Sequence, residues 1–73
     1  MNKQRRKKVE NAIANLGIAL KILDMVAQEE EEAFDNLPPS IQDSDKGDEM
    51  SEWIERLGTA CCGIDEIIND LRG

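Results

Sequence analysis

Histidine and tyrosine are absent, phenylalanine and tryptophan occur once each, and the only two cysteines are neighbours, Cys61 and Cys62. A structural zinc site at the usual His and Cys spacing is therefore excluded, and so is a disulfide framework. No metal and no cofactor is expected. Long apolar runs are missing as well. The longest, around Gly17 to Leu20, falls far short of the roughly 18 residues that a membrane-spanning helix requires. The basic start runs directly into a charged amphipathic pattern, without the apolar stretch of about 7 to 15 residues that a signal peptide needs. Two free thiols suit a reducing compartment, so the expectation is a cytoplasmic protein with no membrane partner.

With 73 residues, the chain is expected to be a single domain, 1–73, because chains of this size bury only about 60% of the surface they expose when unfolded. So small a core seldom supplies more than about 3–5 kcal/mol of net stability and usually needs reinforcement. With metal and disulfides excluded, helix packing and self-association remain.

What is present is a heptad. With Val9 as position a, Leu16, Leu23 and Leu37 continue the a positions, broken only by Glu30. Ala12, Ala19, Val26 and Ala33 occupy d, and Ile13, Leu20, Ala27 and Phe34 occupy e. This is the pattern of a helix with one wide apolar stripe. Ile18, Ile22 and Met25 lie off that stripe and form a second strip, which is the candidate oligomer interface. Pro38 and Pro39 end the first helix, since proline lacks an N–H and restricts the residue before it. A second helix is expected after the polar segment, with Asp45 as N-cap. Met50, Leu57, Ile64 and Leu71 take its a positions, Trp53, Ala60 and Ile67 take d, and Ile54, Cys61 and Ile68 take e.

Two matched stripes joined by a turn over 35–45 predict an all-α fold. The expected form is an antiparallel two-helix hairpin over about 4–34 and 46–71, assembling into a helical bundle as a homo-oligomer. Leu16, Leu20, Leu23, Trp53, Leu57, Ile64 and Ile68 are its expected core. Pairing Phe34 with Met50 leaves the first eight residues without an intrachain partner.

The charge is uneven. Lys3, Arg5, Arg6, Lys7 and Lys8 form a basic N-terminal segment, 1–8, on a chain with 9 basic and 16 acidic residues and a net charge of −7. Cations at a helix N-terminus oppose its dipole, so the cluster calls for a reason. One is an anion site, where Arg forks and free helix N–H groups converge on phosphate. The other is a solvated tail, or a head that pairs with the acidic end of a neighbouring subunit. Glu29 to Glu32, with Asp35, Asp43, Asp45, Asp48 and Glu49, gathers at the turn end. There it forms either a solvated face or a mimic of a phosphate backbone. Direct nucleic-acid binding is disfavoured by the net charge.

Catalytic groups are not apparent. Glu30 is the one carboxylate on the first stripe, Cys61 and Cys62 stand mid-helix among acids without a histidine, and no Gly-rich phosphate loop occurs. The expectation is a non-enzyme. Gly58-Thr59-Ala60-Cys61-Cys62-Gly63 is unusually small for a helix interior, where each glycine costs about 0.8–1.0 kcal/mol relative to alanine. It reads either as tight helix packing or as a shallow ligand pocket.

The stretch Glu31 to Met50 resembles a signature of small uncharacterised helical-hairpin proteins of bacteriophages and prophages in Gram-positive bacteria. These share a basic start, an A-[FY]-D-N-[LM]-P turn, a polar S-x-Q-x-S segment and a Gly before the second helix. Ala33, Phe34, Asp35, Asn36, Leu37, Pro38, Ser40, Gln42, Ser44 and Gly47 fit that pattern, whereas Pro39 and the Gly58/Gly63 pair depart from it. The resemblance implies a viral origin, hence the host-cell cytosol, and no mechanism.

A small helical phage protein without catalytic groups works by occupying something. The favoured expectation is neutralisation of a bacterial defence component by sequestering a nucleotide-derived immune signal. The candidate ligand-binding residues are Arg5, Arg6 and Lys8 together with the polar turn residues Asn36, Ser40, Gln42 and Ser44. The alternatives are an acidic inhibitor that binds a host defence protein directly, and a structural self-assembling protein.

Overall fold

The computed structural model describes all residues, Met1 to Gly73. Three helices occur in the order α1 (Lys3–Asp35), α2 (Pro39–Gln42) and α3 (Asp45–Arg72), with no strand. Each boundary has a local cause. Asn2 caps α1, its Oδ1 accepting from the Arg5 N–H at 2.8 Å, which satisfies one of the otherwise free donors of the first turn. At the other end the Asn36 N–H donates to the Glu32 carbonyl at 3.1 Å, and the two prolines prevent continuation. Pro39 opens the single turn of α2, where its missing N–H leaves no bond unmade.

The connection departs from a plain polar loop in three ways. It contains that helical turn. Ser44 rather than Asp45 is the N-cap of α3, with Asp45 inside the first turn beside Asp48, where carboxylates complement the helix dipole. The Ser44 hydroxyl makes no cap bond and donates instead to the Ile41 carbonyl. Third, the Gln42 side-chain amide donates to the carbonyls of Phe34 at 3.0 Å and Leu37 at 3.2 Å, tying the end of α1 to α2. Gly47 is buried where α3 passes this turn, and a Cβ there would stand 2.0 Å from the Gln42 carbonyl oxygen. Only a residue without a side chain fits.

α1 and α3 lie side by side as a long pair in a molecule of 58 × 14 × 14 Å. Shared clefts fix the register: Ile13 with Leu71 at one end, Leu20 with Cys61, Val26 with Trp53, and Phe34 with Ile54 at the other. The seam is formed by the a and e positions. Val9, Ile13, Leu16, Leu20, Leu23, Ala27 and Phe34 of α1 are half-buried, as are Met50, Ile54, Leu57, Cys61 and Ile64 of α3.

Apart from the half-buried Ala19, the d positions fall outside the seam, which removes Trp53 from the expected core. Ala12, Val26 and Ala33 are exposed on α1, and Trp53, Ala60 and Ile67 on α3. Trp53 is 50% exposed, and Ile68, at 5%, is the sole buried apolar residue. Residue size is the physical reason: the d line of α1 is mostly alanine, too short to reach across to a second helix, while its a and e lines carry Leu, Ile and Phe. The first eight residues are all exposed, and Met1 and Arg6 line a cleft together with Leu71, Arg72 and Gly73. Gly58 and Gly63 have nothing within 4 Å of an added Cβ, so no segment of this chain approaches them closely.

Candidate functional site

The residues singled out from the sequence fall at opposite ends of the rod. Arg5, Arg6 and Lys8 stand on the first turns of α1, and Asn36, Ser40, Gln42 and Ser44 occupy the connection beyond its last turn. A helix rises about 1.5 Å per residue, so the two groups are separated by most of the 58 Å length and do not meet within one chain. Two of the turn residues are already engaged: Gln42 with Phe34 and Leu37, and Ser44 with Ile41. Asn36 and Ser40 are exposed.

At the open end of the pair the structure forms a cleft of about 520 Å³ lined by Met1, Arg6, Val9, Glu10, Ile13, Leu71, Arg72 and Gly73. Of the three basic residues named from the sequence, Arg6 lines it and Arg5 and Lys8 do not. Arg72 joins from α3, a residue that sequence reasoning missed. The signal was the register, which brings the last turn of the second helix alongside the first turns of the first. Two guanidinium groups offer planar forks suited to bidentate contact with phosphate or carboxylate oxygens. Val9, Ile13 and Leu71 supply apolar surface beside them, and Glu10 is the one acidic side chain in the lining. The volume lies within the range of small-molecule sites, about 300–1,000 Å³.

The small-residue segment of α3 borders a different groove, about 400 Å³, between Leu20, Lys21 and Asp24 of α1 and Cys61, Cys62 and Asp65 of α3. Neither cysteine is bonded, and Cys62 is exposed. No cluster of three or more His, Cys, Asp or Glu side chains is placed to hold a metal ion. No helix is long and apolar enough to cross a membrane.

The second apolar strip is fully displayed: Ile18 is 60%, Ile22 56% and Met25 61% exposed. Val26 and Trp53 share a cleft with Glu30 and Leu57, so exposed d positions of the two helices adjoin there. The Arg56 guanidinium lies 5.4 Å from the centre of the Trp53 ring and pairs with Glu52 at 3.6 Å.

Comparison with known proteins returned no matching family model, no matching curated protein and no matching solved structure.

Proposed function

We propose that this chain is a non-enzymatic binding protein, an antiparallel helical hairpin that self-assembles through its second apolar strip. Its open end takes an anionic small ligand of the nucleotide-derived kind. In a phage setting such binding neutralises a bacterial defence by withdrawing its signal. The observation that carries the reading is the cleft in which Arg6 and Arg72 face a common space beside Val9, Ile13 and Leu71. That combination suits a ligand with a phosphate at one end and a flat apolar base at the other. The polar turn residues named with the basic cluster contribute only if a second copy brings its turn to this end.

Titration calorimetry against a panel of cyclic and linear nucleotides tests the proposal. One of them binds with a definite stoichiometry, and Arg6→Ala or Arg72→Ala weakens it about ten-fold or more, the loss expected of a charge-assisted fork worth about 1.5–3 kcal/mol. Heat signals indistinguishable from dilution across the panel overturn it.

A second reading has its own support. Residues 29–56 carry eleven acidic side chains against two basic ones, concentrated on the connection end of the rod. This end suits a basic surface on a host protein, bound in place of nucleic acid. Retention of one host protein, released by salt and lost on neutralising Glu29 to Glu32, marks that outcome.

A further inference from the structure

The exposed line along α1 has an order that bears on how two copies meet. Residues spaced by three and four lie on one face of a helix, and here they run Arg5, Lys8, Asn11, Asn15, Ile18, Ile22, Met25, Glu29 and Glu32, all exposed. The sequence of chemistries is basic, amide, apolar, acidic. Such a line complements itself when reversed. Centred on residue 20, an antiparallel copy sets Ile18 against Ile22, Met25 against Asn15, Asn11 against Glu29 and Lys8 against Glu32, each twice by symmetry.

We infer that the exposed apolar side of the helix pair is covered by a second copy of this chain, related by a two-fold axis perpendicular to the helices, so that each connection end lies on the other copy's open end. This rests on the self-assembly reading above and adds its geometry.

Area and charge support the occupant and its direction. The chain exposes 5877 Å², whereas a compact protein of its 8.2 kDa exposes about 4,500 Å². The excess, about 1,400 Å², exceeds the roughly 800 Å² per partner that a standard stable interface buries. As to direction, residues 29–56 carry eleven acids and two bases, and the remainder carries seven bases and five acids. The ends are therefore −9 and +2. A two-fold axis parallel to the helices would stack the two −9 ends on each other, while the perpendicular axis sets each against a +2 end. The cleft at Arg6 and Arg72 stays open in this arrangement, because Arg6 and Arg72 occupy e and b positions, away from the c, d and g positions that meet.

Light scattering on the full chain gives the mass, and exchange of charges gives the direction. A dimer forms at micromolar concentration; Lys8→Glu and Glu32→Lys each weaken it about ten-fold at low salt, and the double reversal restores it, as expected of facing opposite charges. Both positions are exposed, so neither change removes a packing contact within the chain. In a Cys61→Ala/Cys62→Ala background, spin labels at Lys7→Cys lie about 40 Å or more apart, given a rise of about 1.5 Å per residue over the offset between the two ends. A monomeric mass overturns both this inference and the self-assembly reading. A dimer whose labels lie under about 30 Å apart, or which the double reversal does not restore, overturns the head-to-tail geometry alone.

Discussion

Gly47 and Gly58 have the same composition and opposite surroundings. At Gly47 a methyl group would meet the Gln42 carbonyl oxygen at 2.0 Å, whereas at Gly58 it meets nothing within 4 Å. Gly47→Ala therefore forces backbone movement and should destabilise the chain by about 1–3 kcal/mol. Gly58→Ala should stabilise it by about 0.5–1 kcal/mol through the helix propensity of alanine. Urea denaturation followed by circular dichroism reads both, and equal effects would show that the turn does not press on Gly47. The sequence points to Gly58 and Gly63 because glycine inside a long helical pattern is conspicuous. Gly47 is marked in the sequence only as part of the turn signature, and its place near a predicted helix start gives no physical reason for a glycine. The backbone crossing that needs it comes from α2, which four residues of Pro-Ser-Ile-Gln do not announce. Gln42 belongs to the same crossing: its amide serves two carbonyls, a role that a polar residue in a loop does not declare.

Between elements, the governing choice is which edge of the apolar stripe packs. Positions a and e are about 40° apart on the helix and a and d about 60° apart on the other side, at about 100° per residue. The heptad admits either pairing. Side-chain length selects a and e, and this was present in the sequence as the alanines at Ala12, Ala19 and Ala33. The same selection orders the expected mutational costs. Ile68→Ala should lose about 2–4 kcal/mol as the removal of a buried branched side chain. Leu23→Asp, which puts an unpaired charge into the seam, should abolish cooperative melting. Trp53→Ala should cost under about 1 kcal/mol at dilutions where the chain is monomeric, in keeping with an exposed position. A Trp53 loss equal to that of Ile68 under those conditions would place d in the seam. Helix limits were legible to within one or two residues, because capping and proline act locally; the packing edge was written only indirectly, in side-chain lengths, because it also depends on what stands opposite.

At the scale of the molecule, one buried apolar residue in 73 is a small core for a rod of 58 Å. A chain whose apolar side is covered by a second copy draws part of its stability from mass action. Its melting temperature should therefore rise with protein concentration, and raising salt should lower the dimer's share by screening the opposed ends. A melting point constant over a hundred-fold range of concentration would mean that the single pair of helices is self-sufficient. The bipolar charge was fully visible in the sequence. The distance between its poles was not, since it follows from the helices running nearly the full length without a break.

Trp53 is the one indole in the chain, half-exposed beneath Arg56 and beside Val26 of α1. Its fluorescence is a built-in optical gauge. The free chain should show the emission of a water-exposed indole, open to collisional quenching by iodide, and the proposed association should shift it to shorter wavelength and deny the quencher access. Association can thus be followed in unlabelled protein, by light alone, at concentrations too low for calorimetry.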